Sequence, residues 1–338
     1  MNKLSIRILI WLMMLFSSAM VWGQKHEKEL SFALSGMADN TYSFTRTMNK
    51  RWEAQEHIKR IATDKDLDSL ARYCSIPAVK ALAFLTLAQK QSDKCFEIVV
   101  SSLKDTSQFL AFTYDMGRWL NIASFFLDVV NVKYEEGISV LSDEQMIHLD
   151  SLIVFTPGLR HIYMTPYATR VAYLQDIHDR VKELFYEGHP EVLPLLASYK
   201  RPEDKLLLLS ALREFKVGLD EKGRITGRKG ATDDALEAIK NWPDEAFIPA
   251  LEEIRDYELA SNYFSYSETI PLFKAVMAYD NDWAYNFIED MFIFITVAAK
   301  HESSFSECLY RAFKEETERQ RFKPLIEKFG KNHLYVKD

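Results

Sequence analysis

The 338-residue sequence predicts an all-α fold in which pairs of short amphipathic helices stack against one another. Glycine and proline are scarce, at 11 and 10 residues, and strictly alternating apolar runs are missing, which predicts a mostly helical chain. Apolar residues instead recur three and four positions apart, as in Phe96, Val99, Val100 and Leu103. One such pair cannot bury its own apolar stripe, so repeated pairs indicate an array in which each covers the next.

The two clearest helix pairs lie within residues 65–110. In the first pair, Leu67 and its neighbours line one helix, and Pro77 begins the next helix, where a missing N–H costs least. In the second pair, the helix that ends near Leu103 is followed by a polar turn at residues 104–107. The apolar residues beyond this turn predict a second helix from Gln108 onward.

The helical pattern continues along the rest of the chain. Residues 119–127 are nearly all apolar, which predicts a buried helix, and Ser142 with Gln145 forms a capping box. A helix over residues 174–185 is expected to stop at Gly188, and turns are expected at 200–203 and 243–244. Residues 157–167 contain two prolines and no regular period, which predicts a connection between an array at 24–156 and another at 157–338.

Residues 77–87 (Pro-Ala-Val-Lys-Ala-Leu-Ala-Phe-Leu-Thr-Leu) and 98–105 resemble HEAT-type repeats, whose units pair two helices around a leucine and an aspartate turn. Lys80 stands where the family usually has arginine, and Asp105 is not followed by the family's Val-Arg. The resemblance implies an irregular right-handed α-α superhelix, or solenoid, with the second array continuous with or packed on the first. The whole chain also resembles a group of exported bacterial HEAT-like proteins, which implies a binding scaffold without naming a ligand.

The N-terminus predicts export. Lys3 and Arg7 precede an uncharged stretch at 8–24, the pattern of a secretory signal peptide at residues 1–23 that is cleaved before Gln24. An uncleaved anchor is the alternative, because roughly 17 uncharged residues are the short limit for a membrane span. Cleavage would leave a periplasmic or secreted chain with no stable membrane span. Its charge would be about −9, since two of the 42 basic residues leave against 49 acidic ones, and this disfavours nucleic acid as a partner.

The common catalytic motifs are missing from the sequence, including the nucleophile elbow, the HExxH zinc motif and the phosphate-binding loop. The histidines lack ligand spacing, so we expect no metal and no cofactor. The acidic run at 280–282 predicts the start of a helix. Cys74, Cys95 and Cys308 are an odd number for an exported chain; buried free thiols and a Cys74–Cys95 disulfide both remain open.

Two predicted loops supply the candidate binding residues, because loops that helix packing does not require are where binding residues concentrate. The loop at 222–230 is basic on an acidic chain, and the loop at 262–267 is rich in aromatic rings. A plain surface connection and aromatic filling between helix ends are the respective alternatives. The candidates are Arg224, Arg228 and Lys229 in the first loop and Tyr263, Phe264 and Tyr266 in the second.

The sequence therefore predicts an exported, non-enzymatic binding or scaffold protein of the bacterial envelope. A protein partner is expected, with a glycan as the alternative ligand. The alternative function is a helical-toroid carbohydrate-active enzyme, either a polysaccharide lyase or a hydrolase. That enzyme would bring Tyr263, His161 and Arg170 together in a central cleft for acid–base chemistry.

Overall fold

A computed structural model describes residues 26–44, 50–113, 116–135, 140–215, 217–219, 225–228, 230–261, 266–298 and 320–330. The predicted signal peptide at 1–23 and Cys308 lie outside these residues. The fold is mostly helical, as predicted, with small sheets in addition. The chain divides into two compact units, Met1–Ile162 and Tyr163–Asp338. No helix in the described part of the chain combines the length and the apolar character that a membrane crossing needs.

The first unit stacks its helices in two rows. Helix α4 packs against α2 and α6 in one row, and α5 packs against α3 and α7 in the other. The ring of Phe84 in α4 stacks on Phe126 in α6 with a centroid distance of 4.0 Å, which places aromatic packing within the first row. The elements are α1 (residues 26–35), β1 (Thr41–Ser43), α2 (Lys50–Ile61), α3 (Asp64–Tyr73), α4 (Pro77–Gln89), α5 (Cys95–Ser102), β2 (Gln108–Thr113), β3 (Met116–Asn121), α6 (Ile122–Glu135) and α7 (Asp143–Phe155).

The second unit uses the same arrangement. Helix α10 packs against α8 and α12, and α12 against α14, while α13 contacts α11 and α15 in the other row. Short 3₁₀ turns at 190–192, 202–204, 245–247 and 320–322 lead into α10, α11, α13 and α16. The elements are α8 (Thr165–Leu174), α9 (His178–Tyr186), α10 (Leu193–Ser198), α11 (Lys205–Leu212), β4 (Val217–Leu219), β5 (Ile225–Arg228), α12 (Thr232–Asn241), α13 (Ile248–Ser261), α14 (Tyr266–Met277), α15 (Asp282–Ala298) and α16 (Lys323–Gly330).

In each unit, four consecutive helices are followed by a β-hairpin and then by further helices: α2–α5, β2–β3 and α6–α7 in the first unit, and α8–α11, β4–β5 and α12–α16 in the second. Pro77 opens α4, and Pro190 opens the turn that leads into its counterpart α10. The second strand of each hairpin contains Gly-Arg, at 117–118 and at 227–228. The two units therefore share this order of elements over part of their length.

Local sequence signals locate several helix ends correctly. Ser142 and Gln145 form the predicted capping box, in which the Gln145 amide donates to Ser142 Oγ at 3.2 Å and the Ser142 amide to Gln145 Oε1 at 2.9 Å. Gly188 follows α9 with a φ of 100°, a left-handed conformation that glycine adopts without strain. The turns predicted at 200–203 and 243–244 do separate helices.

The helix predicted from Gln108 onward is wrong. The segment Gln108–Thr113 is strand β2, which pairs with β1 in parallel and with β3 in antiparallel orientation. Phe109 and Ala111 are buried, and their neighbours Leu110 and Phe112 are partly exposed, so burial alternates as in a strand. The sequence does not show this alternation, because all four residues are apolar. Trp119, predicted to lie in a buried helix, is 63% exposed on β3.

Two other predicted boundaries differ from the structure. Leu174, expected to open a helix, ends α8, and α8 itself begins inside the predicted connection at 157–167. Residues 225–228, predicted as part of a loop, form strand β5 opposite β4.

Asn40 and Gln55 anchor the first sheet. Asn40 has a φ of 55°, and its side chain donates to the Gln108 carbonyl at 2.7 Å and accepts from the Ala78 amide at 2.9 Å. The fully buried Gln55 amide, oriented to satisfy both of its polar atoms, accepts from the Ser43 amide at 2.9 Å and donates to the Ser43 carbonyl at 3.2 Å. Gln55 therefore occupies the outer edge of β1 as a further strand would.

Candidate binding cleft

An open cleft of about 760 Å³ lies between α1 and α2 in the first unit. A Cβ atom built on Gly36 would lie 2.7 Å from the Ala54 Cβ, so the absence of a side chain at Gly36 permits the close approach of these two segments. The volume falls within the range of about 300–1,000 Å³ that is typical of ligand pockets. Its walls are formed by Phe32, Ala33, Ser35 and Gly36 on one side and by Trp52, Glu53, Ala54, Glu56, His57 and Arg60 on the other.

The cleft is both apolar and charged. Phe32 is 79% exposed, and Trp52 on the opposite wall is half-buried, so the two rings leave apolar surface open to a ligand. Glu53 and Arg60 lie on the same wall seven positions apart, about 10 Å along a helix axis. Neither Glu53 nor Arg60 forms an ion pair with another residue whose side chain the structure describes.

Hydrogen bonds on α2 organise the polar wall. Arg60 Nη2 donates to His57 Nδ1 at 2.7 Å, and because a guanidinium has only donors, the proton of the neutral His57 ring is on Nε2. Lys59 pairs with Glu56 at 2.9 Å and also lies 5.6 Å from the centroid of the Trp52 ring. Lys59 therefore compensates the charge of Glu56, whereas Glu53 forms no ion pair with a described side chain.

This cleft is not predicted from the sequence, because α2 presents a mainly polar surface, which by itself resembles an ordinary solvated helix face. The spacing of Trp52, Glu56 and Arg60 at every fourth position is the only sequence signal that could have indicated it. The second wall comes from α1, whose approach to α2 is not encoded in that spacing.

Most of the sequence-predicted binding residues lie outside the described part of the chain: Arg224, Lys229, Tyr263 and Phe264. Tyr266 is the first residue of α14, so its assignment to a loop is wrong. Arg228 ends β5 opposite Val217, which makes it a strand residue and not part of a basic loop. In both cases a regular element extends further into the connection than composition suggests.

The residues named for the alternative enzyme have local partners. His161 Nε2 lies 2.9 Å from the Leu103 carbonyl oxygen, in the first unit. Arg170 stacks on the ring of Tyr167 at 5.0 Å, in the second unit. Their third member, Tyr263, lies outside the described residues.

A buried polar cluster joins α9 to the turn before α11. His178 Nε2 lies 2.7 Å from Asp204 Oδ2, and Lys182 Nζ lies 3.0 Å from Asp204 Oδ1. The other ring nitrogen of His178 faces the exposed Asp179 at 3.0 Å, and this hydrogen bond lowers the pKa of Asp179. His178 and Asp204 are 3% and 0% exposed, so the cluster lies in the interior of the second unit.

The thiols and acidic groups do not form a further site. Cys74 and Cys95 are free, and burial raises the pKa of Cys95 to about 12. Among the described residues, no group of three or more histidine, cysteine, aspartate and glutamate side chains could hold a metal ion. Comparison of the chain with protein-family models, curated proteins and solved structures finds no match.

Proposed function

We propose that this protein is an exported binding protein of the bacterial envelope that holds a protein partner in the cleft between α1 and α2. The cleft supports this proposal because its lining combines the exposed ring of Phe32 with a carboxylate, Glu53, and a guanidinium, Arg60. An apolar side chain of the partner enters between Phe32 and Trp52, and Arg60 and Glu53 bind its polar groups. Buried aromatic anchors surrounded by polar contacts are the usual centre of a binding surface.

The scaffold part of the proposal rests on the two rows of helices in each unit. Stacked helix pairs of this kind favour an α-α array of HEAT-like type, with the hairpins as insertions. Export rests on residues 1–23 of the sequence. Intact mass of the protein from the envelope fraction should begin at Gln24, and a full-length cytoplasmic species would contradict export.

The cleft is tested by site-specific photo-crosslinking in the producing bacterium, with a benzophenone side chain at position 32 or position 73. Tyr73 is the matched control, because it is an aromatic residue of the same unit with nearly the same exposure, 80%. We expect a discrete crosslinked protein from position 32 and none from position 73. Equal yields at the two positions would contradict the proposed site.

The captured partner is then titrated into the purified mature protein by calorimetry. Phe32→Ser should weaken binding at least tenfold, as truncation of an anchor does, without changing the helical spectrum. Arg60→Gln should weaken binding too, whereas Tyr73→Ser should not. A folded Phe32→Ser variant that binds as well as wild type would refute the proposed function.

A further inference from the structure

A second interaction surface is the outer edge of strand β3, and it is independent of the cleft. The sheet has the order β1-β2-β3, so β3 is an edge strand. Gln55 closes the opposite edge at Ser43, but no described strand or side chain hydrogen-bonds the outer edge of β3. Met116, Gly117, Arg118 and Trp119 are all exposed, which is the state of a strand that is open to a further pairing partner.

The register shows which backbone groups face outward. The Leu110 amide donates to the Asn40 carbonyl at 3.2 Å and the Phe112 carbonyl accepts from the Phe44 amide at 2.9 Å, so both residues face β1. Successive strand residues point their N–H and C=O groups in opposite directions, so Ala111 faces its partner Arg118 on β3. The backbone groups of Gly117 and Trp119 therefore point away from β2.

The side chains of β3 indicate the chemistry of its partner. Met116 and Trp119 are 71% and 63% exposed, and they offer apolar contact on both sides of the edge. Arg118 is the only charged residue of the strand, and it is exposed. Burial raises the pKa of Asp128, and the positive charge of Arg118 acts against this rise. Arg118 forms no ion pair with a described residue. An added strand with a carboxylate beside Arg118 would complement this charge.

A second copy of the chain fits this edge poorly. In an antiparallel dimer, two copies of β3 would pair around a two-fold axis at residue 117, 118 or 119. Each of these registers places the two Arg118 side chains directly opposite or diagonal to each other. Like charges at these positions of a sheet are destabilising. We propose that the β3 edge binds an extended acidic segment of a partner protein by β-strand addition, with backbone hydrogen bonds at Gly117 and Trp119 and a carboxylate at Arg118.

The test uses a fluorescein-labelled octapeptide of alternating valine and glutamate, titrated into the mature protein and followed by fluorescence anisotropy. Two control peptides replace the glutamates by lysine or methylate the backbone nitrogens along one edge. We expect the acidic peptide to bind at least tenfold more tightly than either control. No binding, or equal binding of the three peptides, would overturn the proposal.

Protein variants separate strand addition from general charge attraction. Trp119→Pro removes the outward N–H and should abolish binding, whereas Trp119→Thr keeps that N–H and should retain part of it. Arg118→Glu should reverse the preference toward the lysine peptide. Circular dichroism checks that each variant is folded, and a folded Trp119→Pro variant with wild-type affinity would refute strand addition. A dimer that Trp119→Pro dissociates, seen by light scattering, would instead assign the edge to a second copy.

Discussion

The substitution Asp204→Asn should destabilise the second unit strongly. Asp204 is fully buried; its Oδ2 lies 2.7 Å from His178 Nε2, and its Oδ1 lies 3.0 Å from Lys182 Nζ, the distance of an ion pair. Asparagine has nearly the same shape, so no cavity forms, but it lacks the negative charge that faces Lys182. Removing one member of a buried ion pair in this way costs about 3–5 kcal/mol.

The assay is urea denaturation of the mature protein, monitored by circular dichroism at 222 nm and analysed by linear extrapolation. If the two units unfold in separate transitions, only the transition of residues 163–338 should shift. Asp179→Asn is the matched control, because Asp179 contacts the same histidine but is 93% exposed, and its midpoint should equal that of wild type. A stability loss below about 1 kcal/mol for Asp204→Asn would refute a stabilising role for the buried cluster.

Three further predictions concern burial and charge. Leu208 is fully buried, so Leu208→Ala should lower the free energy of unfolding in urea by about 2–5 kcal/mol. Leu206 is 78% exposed, so Leu206→Ala should lower it by at most about 0.5 kcal/mol. Equal losses for the two variants would contradict the orientation of α11. Burial, with the charges of Glu191 and Asp233, raises the Asp234 pKa from 3.8 to about 6. Between pH 3.8 and about 6, the folded state therefore binds more protons than the unfolded state, and the free energy of unfolding falls as pH rises through this range. Asp234→Asn should flatten this pH dependence of stability, and an unchanged dependence in the variant would contradict the raised pKa. Cys95 should react with Ellman's reagent only after unfolding, and fast native labelling would refute its burial.

The sequence by itself determined the helical class and many helix ends. Ser142 with Gln145, and Gly188 after α9, act through hydrogen bonds and backbone conformations within a few residues, so their effect does not depend on the rest of the fold. The 3.6-residue period is equally local, because it records which side of a helix will be covered.

Only the tertiary structure decided the sheets, the cleft and the choice among neighbouring leucines. Leu110 and Phe112 are apolar enough to suit a helix, but the chain at Asn40 and β1 offers backbone partners that are far away in sequence. The cleft likewise requires α1 to approach α2 at Gly36, and Leu206 differs from Leu208 only in what packs over it. Local patterns record which residues could be buried, whereas burial itself depends on contacts between distant segments, and these exist only in the folded chain.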